Sequence, residues 1–163
     1  MGILVVPNWV GDMPTWITTL AIVFAGYQLL SDRKRRAAEE DRMSKAQARK
    51  ISAWTATAVT APRAYGLVVS NRSDSTFHNV EVTGILHGVD FTANPVRFTV
   101  LPPGDYFVEQ EKNVWKFPAH VDEREGCLRP YTQTDSYRVL GLDFTDNLNQ
   151  RWSANEYMVL NKN

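Results

Sequence analysis

Cys127 is the only cysteine in 163 residues. A lone thiol cannot close an internal disulfide, so the fold is held by burial and hydrogen bonding, and a reducing compartment suits it. Histidine is almost as scarce, with His78, His87 and His120 alone. None of them pairs with a cysteine at ligand spacing. A zinc site built on His120 and Cys127 would still lack two ligands. No phosphate-cradling glycine loop and no nucleophile elbow occurs. The acidic run "DEREG" (residues 122–126) alternates with Arg124 and lacks the calcium-loop order. These gaps exclude the recognisable metal, nucleotide and nucleophilic enzymes. The expectation is no cofactor, no metal, no catalytic residue and no small-molecule substrate, and the chain is not read as an enzyme.

Charge is missing from the first part of the chain. Residues 1–31 carry one charged side chain, Asp12, and no basic one. Residues 13–30 are eighteen in a row without charge. As a helix they would measure roughly 27 Å, near the thickness of a bilayer core of about 30 Å. Trp9 and Trp16 stand at one end and Tyr27 near the other, where interfacial aromatics belong. Pro14 suits the first helical turn. The expectation is a transmembrane helix over residues 13–31. Arg33, Lys34, Arg35 and Arg36 flank it on the C-terminal side. By the positive-inside rule the N-terminus then lies outside and the rest in the cytoplasm, a single-pass placement in a cell membrane. An export signal has the reverse order, basic before apolar. Ala21, Ala25 and Gly26 are small, and Ala21 and Ala25 form a small-xxx-small pair suited to close helix packing.

Residues 32–50 hold eight Lys/Arg against four Asp/Glu, with no glycine or proline. Their Ala, Arg, Lys and Glu content predicts a charged helical stalk continuing from the span. Asp32 and Arg36, and Asp41 and Lys45, are acid-first pairs four residues apart that support it. A heptad seam started at Leu30 reads Leu30, Arg33, Ala37, Glu40, Ser44, Gln47, Ile51, Trp54. It is apolar only at its ends, so no zipper is expected. The stalk has no aromatics to interleave with its bases, and no nucleic-acid partner is expected. The basic cluster is read as a topology signal beside membrane lipid, where each base contributes about 1 kcal/mol.

From residue 51 onward the spacing alternates, and turn residues recur every eight to fifteen positions. Strands are expected at residues 51–61, 64–71, 78–88, 96–101, 105–110 (with 113–117 as an extension), 137–146 and 151–160. Residues 118–135 read as loop. Pro103 and Gly104 suit the centre of a type II turn. "NRS" at residues 71–73 fits a glycosylation acceptor but is read as a turn. Trp54, Trp115 and Trp152 are expected in the core. About seven short strands with no helix between them predict an all-β antiparallel sandwich of immunoglobulin-like or fibronectin-III-like architecture over residues 51–163. The expected order is an outer tail at 1–12, the span at 13–31, the stalk at 32–50 and the sandwich at 51–163.

The apolar head, the "SDRKRR" stalk, "LPPG" and the closing "DFTDNLNQRW" resemble small single-pass membrane-anchored bacterial proteins of unassigned function. Those often end in a hairpin of the "FTD-x-x-G-x-x-W" kind. Phe144, Thr145, Asp146 and Trp152 match, while residues 147–150 replace the usual turn glycine. The resemblance implies no activity. Two functions are expected from the whole. One is a non-enzymatic, membrane-tethered interaction or scaffold module that presents a cytoplasmic sandwich to a protein partner. The other is a structural subunit of a larger assembly, such as a phage or envelope machine, with the apolar helix buried between copies of a homo-oligomer.

Overall fold

The computed structural model describes residues 13–59, 63–124 and 126–163. The expected outer tail at residues 1–12 lies outside the described residues. The chain divides into two units, Met1–Met43 and Ser44–Asn163.

One helix, α1 (Met13–Ala48), covers the described part of the first unit and opens the second. Its continuity follows from composition: after Gly26 no glycine or proline interrupts it before Ala48. It closes in a turn where Arg49 N donates to Lys45 O (3.1 Å) and Lys50 N to Gln47 O (2.9 Å). Among the described residues, no helix is long and apolar enough to cross a membrane. This overturns the transmembrane helix expected at 13–31. It also overturns the single-pass cell-membrane placement, with the N-terminus outside and the β domain cytoplasmic, that rested on it. The physical reason is dilution of the apolar stretch. Gly26, Tyr27 and Gln28 interrupt its aliphatic run, and charge begins at Asp32.

The second unit is built from two antiparallel sheets. The first contains β1 (Ile51–Ala58), β2 (Ala64–Asn71), β6 (Gly104–Glu111), β7 (Val114–Trp115), β8 (Ala119–His120) and β9 (Leu128–Pro130). Its order is β7-β6-β2-β1-β9, with β8 also on β6. The second contains β3 (Phe77–Leu86), β4 (Val89–Asp90), β5 (Val96–Leu101), β10 (Arg138–Thr145), β11 (Arg151–Asn155) and β12 (Leu160–Lys162). Its order is β12-β11-β10-β3-β4, with β5 also on β3.

The two sheets share one apolar core. Leu67, Val69 and Val108 enter it from the first sheet, and Val80, Val82, Leu142 and Phe144 from the second. The alternation read in the sequence is thus the alternation of core and outer faces. Each fully buried aliphatic side chain contributes about 1.5–3 kcal/mol. Phe77 meets Phe144 edge to face at 5.0 Å. The last turn of α1 joins the same core: Ala48 is fully buried and Ser44 nearly so. Within the first sheet, the paired strands β2 and β6 approach closely enough at Gly66 to require glycine. A side-chain carbon at Gly66 would stand 2.0 Å from the backbone oxygen of Val108.

Several strand expectations change in detail. β1 ends at Ala58, and residues 60–61 of the expected strand lie outside the described residues. Residues 113–117 do not extend β6. Lys112 and Asn113 take positive φ (50° and 65°), and the chain folds back so that Val114 pairs with Glu111. That is the twist a two-residue hairpin loop needs. The supposed loop at 118–135 contains β8, a single 3-10 turn (Val121–Glu123) and β9. The closing strand splits into β11 and β12. Asn155 Oδ1 accepts from the N–H groups of Tyr157 and Val159, both at 3.0 Å, and caps the turn between them.

Of the three tryptophans, only Trp152 is buried in the core. Trp54 lies on the opposite face of β1, against Ala56, Val68 and Phe107 with Val121 and Leu128 beside them. Strand parity decides this: Ala53 and Thr55 point inward, so Trp54 points out. Trp115 packs half-buried at the sandwich edge, edge to face with Phe91 at 5.0 Å.

Candidate interaction surface

Among the described residues, the most unusual surface is that of residues 20–30 in α1. Leu20, Ile22, Val23, Phe24, Leu29 and Leu30 are each more than half exposed. At 100° per residue these side chains do not share one stripe. Leu20 and Phe24 point one way, Ile22 and Leu29 nearly the opposite way, and Val23 and Leu30 between them. A surface helix of a globular domain carries one apolar stripe, whereas a helix apolar all round is enclosed. Ala21, Ala25 and Gly26 lie exposed on the same segment, and nothing stands within 4 Å of a side-chain carbon built on Gly26. The small residues singled out in the sequence therefore sit at open positions where another backbone has room to approach.

Farther along, Arg33, Lys34, Arg35 and Arg36 are all exposed, followed by exposed Ala37, Ala38, Glu39 and Glu40. The four basic residues do not converge on a pocket. They wrap the helix, one every 100°.

On the sandwich, a groove of about 620 Å³ opens at one side, between β5 and the β6–β8 region. Phe98, Tyr106, Val108 and Trp115 line it, and Phe117 at its rim is 93% exposed. β5 pairs with β3 alone, so its other edge is unpaired. The outer face of the second sheet is polar. There Asp143 stands directly opposite Glu81 across β10 and β3. Burial, reinforced by the Glu81 charge and partly offset by Arg151, pushes the Asp143 carboxyl above its ordinary value. Arg97 answers Glu81 at 3.0 Å.

The remaining polar residues serve the fold. Asn71, which opens the acceptor-like "NRS", is 1% exposed. Its amide donates to Ser75 O (2.8 Å) and Leu101 O (3.1 Å). Its Oδ1 accepts from Ser73 N (3.0 Å) and Ser73 Oγ (2.7 Å). All its capacity is spent on the turn and on the end of β5. Tyr137 Oη bonds His87 Nδ1 at 2.7 Å, and its ring stacks on Tyr131 with centroids 4.0 Å apart. His120 lies beside Gly104, whose φ of 136° and 2.6 Å clearance from the imidazole leave room only for glycine. Cys127 is exposed and free. Among the described residues, no group of three or more His, Cys, Asp or Glu side chains is placed to hold a metal.

Sequence reading missed the connections of Asp146, which like Asn71 makes four side-chain hydrogen bonds. It is 2% exposed, in the turn after β10. Its Oδ2 accepts from Ser44 Oγ (2.8 Å) and Trp152 Nε1 (2.9 Å). Its Oδ1 accepts from the N–H groups of Leu148 (2.9 Å) and Gln150 (2.8 Å). One carboxylate thereby ties the end of α1 to the β10–β11 hairpin. Burial alone would raise its pKa. The bonds from Trp152, Gln150, Ser44 and Leu148 outweigh burial and lower it. The "FTD…W" pattern held the signal: its Asp and Trp are hydrogen-bonded partners. Asn149 occupies the pattern's glycine position and takes φ 60°, the left-handed conformation that asparagine tolerates.

No protein-family model, no curated protein and no solved structure matches the chain.

Proposed function

We propose that this protein is a non-catalytic structural subunit of a larger assembly, in which α1 packs between copies of the chain and each copy displays a β-sandwich. The observation that carries the reading is the all-round exposure of large apolar side chains over residues 20–30. One apolar stripe would call for one neighbour; apolar residues on every side call for several. Ala21, Ala25 and Gly26 supply the low relief that lets helices approach. The sandwich supports the same reading. Its order β1-β2-β6 against β11-β10-β3 corresponds to the A-B-E and G-F-C strands of immunoglobulin-like sandwiches, an architecture widely used for recognition and assembly.

Light scattering on the full chain tests this. The expected result is a defined oligomer that Phe24→Glu combined with Leu30→Glu disperses, with the β-rich circular dichroism of the sandwich retained. A monomeric wild-type chain at tens of micromolar would refute it.

A further inference from the structure

The charges of α1 are arranged with a symmetry the topology signal does not require. Around Ala37, from Asp32 to Arg42, four charged residues on each side have a counterpart of opposite sign at equal distance, and Arg36 alone is mirrored by an uncharged residue, Ala38. Asp32 mirrors Arg42, Arg33 mirrors Asp41, Lys34 mirrors Glu40 and Arg35 mirrors Glu39. Four mirrored pairs, all opposite in sign, surround a centre of small residues, Ala37 and Ala38. The side chains from Asp32 to Glu40 are exposed, as is Arg42.

We infer that α1 pairs with α1 of a second copy in antiparallel orientation, with the two-fold axis at Ala37. A two-fold interface is self-complementary: if residue i meets residue j, then j meets i. Reversing the second helix about Ala37 does this for charge. Lys34 of one copy then faces Glu40 of the other, and Arg33 faces Asp41, each twice. The face centred on Ala37 carries Arg33 and Lys34 one turn before and Glu40 and Asp41 one turn after. The residues nearest the partner are therefore the mirrored ones. Ala37 at the crossing point lets the backbones come close, the role small residues play at helix contacts. A parallel pair in register would oppose Arg33–Arg36 to the same four bases, a like-charge juxtaposition that costs several kcal/mol.

Charge order here sets orientation and register more than affinity. Pairing about Ala37 leaves the apolar segments, residues 20–30, at opposite ends of the helix pair, where they join one pair to the next. The inference therefore deepens the structural-subunit reading and rests on its premise that copies associate through α1. It adds the geometry of the first contact.

Within one helix, Arg35–Glu39 and Arg36–Glu40 also stand four apart and support each other. Charge reversal alone would not separate the two roles, so the decisive experiment is cross-linking. In full-length protein with Cys127→Ser, one preparation carries Lys34→Cys and another Glu40→Cys. The two are mixed and oxidised under mild conditions. Antiparallel pairing predicts a 34–40 disulfide between different copies at least tenfold in excess of the 34–34 and 40–40 products. Raising salt from 0.05 to 0.5 M, which shortens screening from about 14 Å to about 4 Å, reduces that excess. Predominant 34–34 and 40–40 bonds, or an oligomer that gives no 34–40 bond, overturn the antiparallel geometry while leaving the subunit reading intact. A monomer by light scattering with no disulfide of any kind overturns both.

Discussion

Replacing Asp146 with Asn changes one atom in a buried, fully hydrogen-bonded polar site. The carboxylate accepts four hydrogen bonds, two at each oxygen. An amide keeps one oxygen and turns an NH2 group toward two donors. Whichever way it flips, it loses two acceptor contacts and sets donor against donor in a site 2% exposed. A hydrogen bond to a charged group contributes about 1.5–3 kcal/mol. With partial relaxation, the loss is about 3 kcal/mol. At a urea slope of about 2 kcal/mol per molar, the unfolding midpoint falls by about 1.5 M. The pH dependence supplies an independent sign. The folded-state pKa lies below the ordinary 3.8. The carboxylate's contribution is therefore complete above about pH 5 and fades as pH falls through 3.8 toward the folded value. Asn does not titrate, so the stability gap between wild type and Asp146→Asn narrows below about pH 4. Urea titrations of both proteins at pH 7, 5, 4 and 3 measure it. A gap that stays constant down to pH 3, or one below 1 kcal/mol at pH 7, would refute the reasoning.

Substitutions at two further positions probe backbone geometry. Gly66→Ala sets a methyl group 2.0 Å from Val108 O, a backbone atom in a central strand, and should cost about 3 kcal/mol in chemical denaturation. Asn149→Gly should leave stability within about 0.5 kcal/mol, because glycine adopts φ 60° freely, while Asn149→Val should cost about 1–2 kcal/mol. Thermal melts of the pair give the ordering, and equal melting points for the two would contradict the left-handed assignment.

Much of the β domain was readable because each strand carries its own period. Ala64–Asn71 and Val96–Leu101 begin and end where alternation and turn residues place them. The short strands β7, β8 and β9 were not readable. Two or three residues give no period, and their pairing is set by β6 and β1. Trp54 and Trp152 show the same division. Both sit in strands, yet which face is core depends on register against the neighbouring strand. The hub at Asp146 was half legible. The hairpin pattern joined Asp146 to Trp152, six residues apart, but Ser44, 102 residues away, belongs to the site only through the fold.

The order of residues alone determined that this chain has a nearly charge-free head, a charged helical segment and an alternating body, because charge, helix propensity and alternation are local properties. The mirrored charges about Ala37 were also present in the sequence. What they could pair with depended on all but half-buried Asp41 being exposed on an unbroken helix. The tertiary structure decided what no local property encodes: that the described helix falls short of a membrane span, that its apolar residues lie open on every side, and that one buried carboxylate fastens its last turn to the sandwich. Burial is a relation between distant parts of the chain, and only folding brings those parts together.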